Sequence, residues 1–184
     1  MRRNFAKFGP RGKSGRLSAE KRQDVLIDAV SRSAYRDRIQ LVLAGQGPKR
    51  EALLERAAKL SNPPVIRFFP KAELLDILAM SDLYVHAADV EIEAISCMEA
   101  FASGLVPVIA NSPKSATPQF ALDDRSLFRA GDSADLAEKM DYWLGHPEER
   151  QQMETRYAEH GREYDIDHCV SQIEDMFREA IAEN

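Results

Sequence analysis

Short apolar runs alternate with amphipathic stretches along most of this 184-residue chain. The run IQLVLAG at 39–45 is nearly continuous and ends in glycine, the pattern of a strand buried on both faces of a parallel sheet. VIRFF (65–69), LYVHA (83–87) and LVPVIA (105–110) predict further strands, and SLF (126–128) a weaker one. Pro107 donates nothing to a ladder, so it predicts an irregular or edge start for its strand. Between these runs the apolar spacing changes to the helical one. Ser18 is a candidate N-cap, with Glu20 in the first turn and Val25, Leu26, Ala29 and Val30 on one face. Pro48 opens a helix that carries Leu53, Leu54, Ala57 and Leu60. A third helix is predicted over 71–81, and a fourth from Glu93 or Ala94 to Ser103, stopped by Gly104. Over 133–145, Leu136, Met140, Trp143 and Leu144 face inward together. From Pro147 the pattern reads as two helices broken near Gly161, the second with Val170, Ile173, Met176, Phe177 and Ile181 at helical spacing.

This alternation predicts an α/β fold, a doubly wound parallel sheet with a helical C-terminal tail. Ligands of such sheets bind beyond the carboxyl ends of the strands. That rule draws attention to 45–48, 69–71, 86–93 and 111–117.

Composition narrows the class. With 44% hydrophobic and 30% charged residues the chain reads as one soluble globular domain. No apolar run approaches the length of a membrane span, and the charged N-terminus lacks the apolar core of a secretory signal. Two distant cysteines, Cys97 and Cys169, make neither a disulfide framework nor a zinc pattern and suit a reducing cytosol. The net charge of −5 is uneven: residues 1–22 hold eight Lys or Arg against one Glu, a net +7, which leaves −12 on the rest. Such a basic lip attracts phosphate or an anionic surface, and equally suits a solvated tail. Residues 1–14 are accordingly read as a basic, poorly ordered segment, and 15–184 as the folded domain.

Several familiar motifs fail on spacing. Gly12-Lys13-Ser14 lacks the upstream glycine of a P-loop, where Lys7 stands, and no predicted strand precedes it. After Gly45-Gln46-Gly47 the third glycine of a dinucleotide fingerprint would fall on Arg50. His86, His146, His160 and His168 show no metal-ligand spacing, and no Gly-x-Ser-x-Gly elbow is present.

Two segments carry chemistry together. Arg16 and Lys21 stand five apart around a predicted helix start, where a planar guanidinium and an ammonium can both reach a diphosphate. Glu91 and Glu99 are separated by seven residues, one just before a helix and one within it, with the amides of Ala94, Ile95 and Ser96 between them. Helix-start amides favour phosphate, and carboxylates accept hydrogen bonds from sugar hydroxyls. Taken alone, each of these charges also reads as an ordinary solvated face.

The blocks GRLSAEKR (15–22), GQGP (45–48) and EAFASGLVPVI (99–109), together with Glu91 eight positions before Glu99, resemble the retaining GT-B glycosyltransferases with an E-x7-E motif. The resemblance runs from about Gly15 to the C-terminus. It implies the Rossmann-like C-terminal domain of that fold and transfer of a hexose from a nucleoside diphosphate sugar, preferentially a UDP-sugar, to a saccharide or lipid acceptor in polysaccharide biosynthesis. By the same resemblance Arg16 and Lys21 hold the diphosphate, Glu99 the ribose and Glu91 the transferred sugar as the catalytic carboxylate. The amides of Ala94, Ile95 and Ser96 complete the donor site, and Phe69, Pro70 and Lys71 lie along the base. The family uses no cofactor and no metal for the chemistry.

Its members also carry an N-terminal acceptor-binding domain, which for this chain is expected in cis or in trans. The strand that precedes the first block in the family has no counterpart over 8–14, so the sheet is expected to lack an element. The compartment implied is cytoplasmic, with peripheral contact at the inner face of the membrane, and no nucleic-acid partner. A non-catalytic nucleotide-sugar-binding module and a relic domain acting through protein interaction remain the alternatives.

Overall fold

The computed structural model describes residues 4–8, 15–92 and 95–182, with side chains over 16–92 and 95–182. Seven strands build one sheet: β1 (Asn4–Phe8), β2 (Gly15–Arg16), β3 (Ile39–Gln46), β4 (Val65–Arg67), β5 (Leu83–His86), β6 (Pro107–Asn111) and β7 (Leu127–Arg129). Their order is β2-β3-β1-β5-β6-β7, with β4 also beside β3. Each of these pairings is parallel.

The helices are α1 (Gln23–Arg32), α2 (Arg50–Ala57), α3 (Lys71–Ala79), α4 (Ile95–Ala102), α5 (Ser133–Gly145), α6 (Pro147–Arg162) and α7 (Ile166–Ala182). Alternate residues of β3 enter two separate apolar clusters. Ile39, Leu41 and Leu43 join the main core, while Val42 and Ala44 meet Phe69 and Leu74. Because strand side chains alternate in direction, the sheet is covered on both faces. Among the helices, α1 packs on α5 and α2, and α4 packs on α6. The fold is the predicted doubly wound, Rossmann-like sheet.

Two expectations need correction. The sheet does contain a strand ahead of Gly15: β1 runs between β3 and β5, pairing Asn4 with Ile39 and Ala6 with Leu83. It escaped the sequence pattern because Asn-Phe-Ala-Lys-Phe has two polar residues in five and no continuous apolar run. Residues 1–3 and 9–14 of the basic segment lie outside the described residues. Pro107 is not at an edge, since β6 lies between β5 and β7. As the first residue of its strand, Pro107 is spared the ladder position where an N–H is needed; Tyr84 N–H instead donates to Val106 O at 3.2 Å.

The helix break predicted near Gly161 falls at 163–165, with Gly161 itself inside α6. A Cβ there would sit 2.7 Å from Ala102 Cα, so the missing side chain lets α6 approach the end of α4. The predicted apolar stripe of α7 exists, yet Ile166, Val170, Ile173, Met176, Phe177 and Ile181 are all exposed and no residue of that helix is buried. No described helix is long and apolar enough to cross a membrane.

The α4–α6 approach makes a stability prediction. Gly161→Ala forces a backbone shift and should lower the unfolding free energy by about 1–3 kcal/mol, the usual cost of overpacking. Urea denaturation checks it; an unchanged midpoint would mean that the two helices do not meet this closely in solution.

Candidate functional site

The first loop of the site is fixed by backbone contact. Leu17 N–H donates to Gln46 O at 2.9 Å, and Lys49 N–H donates to Leu17 O at 3.1 Å. A Cβ on Gly47 would lie 2.4 Å from Leu17 O, which explains a second glycine in the turn after β3. Ser18 follows as the N-cap of a short 3-10 turn, Ala19–Lys21, not of a long helix. Its hydroxyl donates to Glu20 and, as the largest influence, holds that carboxyl below its ordinary pKa. Arg22 then adopts a left-handed conformation, φ 48°, and α1 begins only at Gln23.

Among the described residues Arg22 is the one non-glycine with a positive φ. A left-handed residue with a Cβ is strained. Its side chain is held there, donating to Asp89 at 2.8 Å and to Asp24 at 3.3 Å. Those contacts, Asp89 first, raise the guanidinium pKa further.

The loops after β2, β5 and β6 are thereby knitted together. Asp89 N–H donates to Glu20 O at 2.9 Å, and Ser112 Oγ donates to Asp89 O at 2.6 Å. Ala116 N–H donates to Glu91 O at 2.9 Å, beside an isolated bridge between Glu91 and Ser115. Lys21 Nζ donates to Glu91 Oε2 at 2.6 Å, with both side chains under one-fifth exposed.

Behind this pair lies a buried polar cluster. His86 Nε2 is 3.7 Å from the same Glu91 oxygen. The Tyr84 hydroxyl is 3.1 Å from His86 Nδ1 and donates to Ser96 Oγ at 2.8 Å. Burial, and then the charge of Lys21, brings the His86 pKa down to about 3, so the imidazole is neutral. Burial pushes the Tyr84 phenol well above its usual pKa.

Of the residues singled out in the sequence, Lys21, Glu91 and Ser96 are gathered in this cluster. Ser96 turns its hydroxyl inward, to Tyr84. Ile95 opens α4, Glu99 lies one turn on and half-buried, and Ala94 lies outside the described residues. Arg16 ends β2 with its side chain exposed. Pro70 and Lys71 are exposed at the start of α3, but the Phe69 ring is buried, with the Arg67 guanidinium 3.9 Å from its centroid. The exposed aromatic of that turn is Phe68.

The sequence pattern places His86 and Asp89 in the loop stretch 86–93 without giving either a role, and it does not single out Arg22 or Tyr84. Beside the cluster opens a cleft of about 630 Å³ lined by Glu20, Arg22, Lys49, Leu53, Val90 and Lys114, within the size range of small-molecule sites. Among the described residues no group of three His, Cys, Asp or Glu is arranged to hold a metal.

Comparison with known proteins identifies the family and the fold. The profile of the family described as glycosyl transferases group 1 matches residues 12–160. The fold matches the catalytic domain of cholesterol-alpha-glucosyltransferase from Helicobacter pylori with a TM-score of 0.83 and 46% identity, over 89% of this chain and 99% of that one. HepE from Anabaena, solved with UDP and glucose, matches at a TM-score of 0.80 and 18% identity, over 96% of this chain and 49% of that one. The C-terminal domain of the group 1 protein LpcC from Francisella tularensis gives a TM-score of 0.67 and 18% identity, over 85% and 82%. Nothing matches among the curated proteins. The chain belongs to the group 1 glycosyl transferases, and its neighbours are GT-B glycosyltransferases. It spans nearly all of the H. pylori domain and about half of HepE.

The left-handed turn can be tested without a ligand. Arg22→Ala keeps the strained φ and loses both ion pairs, whereas Arg22→Gly loses the ion pairs and the strain together. The glycine variant should be the more stable of the two by about 1 kcal/mol in urea denaturation. Equal stabilities would remove the left-handed argument for this position.

Proposed function

We propose that this chain is the donor-binding half of a retaining glycosyltransferase, moving a hexose from a nucleoside diphosphate sugar to a saccharide or lipid acceptor. The observation that carries the reading is the contact between Lys21 and Glu91. It joins a cation suited to diphosphate with a carboxylate suited to sugar hydroxyls, where parallel sheets place their ligands. The preferred donor is a UDP-sugar, a choice supported by HepE, which shares the fold and holds UDP and glucose. Identity of 46% to a domain of a cholesterol-alpha-glucosyltransferase supports glucose as the hexose and, of the two acceptor classes, a lipid.

In this reading Arg16 and Lys21 take the diphosphate, together with the amides of Ile95 and Ser96 at the start of α4. Glu99 accepts the ribose hydroxyls, and Glu91 accepts those of the sugar. Phe69, Pro70 and Lys71 flank the base by their backbone and exposed groups, since the Phe69 ring itself is committed to the core. The bond between the anomeric carbon and the phosphate oxygen breaks as the acceptor oxygen bonds to the same face of the sugar. The acceptor proton passes to the leaving phosphate, whose charge the two cations offset, and no metal is assigned a step. Water exclusion and acceptor positioning fall to an acceptor-binding domain supplied in cis or in trans.

Titration calorimetry with UDP and uridine tests these assignments. Glu99→Ala should weaken UDP by about 1.5–3 kcal/mol in a folded protein, the worth of hydrogen bonds to a charged group. Arg16→Ala and Lys21→Ala should weaken UDP far more than uridine, with a deficit that shrinks as salt rises. Unchanged UDP affinity in all three variants would sink the donor-site reading.

A further inference from the structure

Glu91 is already engaged before any ligand arrives. Among the described residues its carboxylate has two polar side-chain neighbours, Lys21 at 2.6 Å in front and His86 at 3.7 Å behind. If Lys21 serves the diphosphate, it cannot remain fully on Glu91. A carboxylate released by its cation would be free to rotate away from the sugar unless another donor held it. The His86 ring is suited to that task by its placement. It ends β5, is 2% exposed, and has Nδ1 turned to the Tyr84 hydroxyl, so that Nε2 is the nitrogen facing Glu91.

We propose that His86 is the positioning residue for Glu91. When the donor diphosphate draws Lys21 away, His86 Nε2–H takes up the carboxylate and holds it toward the sugar, with Tyr84 and Ser96 completing the relay. This rests on the donor-site reading above and adds to it a residue that does not itself touch the donor. The 3.7 Å separation exceeds a hydrogen bond, and a small rotation of the carboxylate closes it.

The proton inventory allows the change. A neutral imidazole carries one N–H and one lone pair, so donation from Nε2 makes Nδ1 an acceptor. In the structure Tyr84 donates to Ser96. It then turns its O–H to Nδ1 and accepts a hydrogen bond from the Ser96 hydroxyl instead. With the imidazole proton on Nε2 throughout, the relay changes by hydroxyl rotations alone while the Glu91 carboxylate turns toward it. The same relay couples the loop that bears Glu91 to the first turn of α4, where the Ser96 amide faces the phosphate.

The test compares UDP with UDP-glucose by calorimetry on the full chain and its variants, with circular dichroism to confirm folding. The wild type should bind UDP-glucose about tenfold more tightly than UDP, the contribution of one hydrogen-bonded charge. His86→Leu should abolish that difference while leaving UDP affinity unchanged. His86→Gln, whose terminal N–H falls near the Nε2 position, should restore most of it. Tyr84→Phe, a smaller change to the core, should reduce it in the same direction and serves if His86→Leu fails to fold. A full difference retained in His86→Leu or in Tyr84→Phe would overturn the proposal. So would equal losses for UDP and UDP-glucose, which mark a merely structural residue. A wild type that binds UDP with no gain from glucose overturns this proposal and spares the nucleotide reading. A wild type that binds neither ligand overturns both.

Discussion

The ion pair between Lys21 and Glu91 joins segments seventy residues apart, and the arrangement of the candidate site depends on it. Each side chain is under one-fifth exposed, so both charges are partly dehydrated. Removing two ions from water is costly, and the attraction between them offsets that cost only when geometry is good and further polar groups are near. Those groups are present: Asp89 N–H donates to Glu20 O, and Ala116 N–H donates to Glu91 O, so the backbones on both sides of the pair are anchored. A pair held this way is a poor means of gaining stability and a good means of holding two opposite charges ready. In the proposed reading, a diphosphate would take Lys21 and sugar hydroxyls would take Glu91 in exchange.

The sheet makes this convergence unavoidable. Parallel strands covered on both faces send every loop that follows a strand to the same end. The loops after β2, β5 and β6 therefore meet, and Asp89 ties them, receiving Arg22 and Ser112 while donating to Glu20. Arg22 bears a left-handed backbone for this purpose, and the Gly47 turn brings Leu17 against the end of β3. The left-handed Arg22 lies beside the candidate site, a common location for backbone strain.

Much of this was legible in the sequence, for identifiable reasons. Buried parallel strands read as continuous apolar runs, which is why β3 and β5 stood out, and amphipathic spacing marked α1 and α5. The ordered blocks identified Lys21 and Glu91 together although nothing local relates them. What escaped depends on context. β1 lies between two strands with only three apolar residues in five, because its neighbours and not its own pattern specify it. Gly161 resembled a breaker, yet its meaning lies in Ala102 on another helix. The Phe69 ring suggested a base platform, but its neighbours across the sheet draw it into the core with Val42 and Leu74. His86 carried no motif at all; its significance comes from Glu91, Tyr84 and Ser96 around it.

On the proposed reading the nucleotide-sugar site is preformed as an ion pair with a neutral hydrogen-bonding cluster behind it. A thermal-shift panel of the full chain with UDP, GDP, ADP and their sugars tests that claim most directly. A ligand that binds only the folded state stabilises it by about 2.7 kcal/mol at a hundredfold excess over its dissociation constant. The account predicts a clear rise in melting temperature with UDP and a larger one with a UDP-sugar at the same concentration. No shift with any nucleotide or nucleotide sugar, for a chain that is folded and monodisperse, would contradict it.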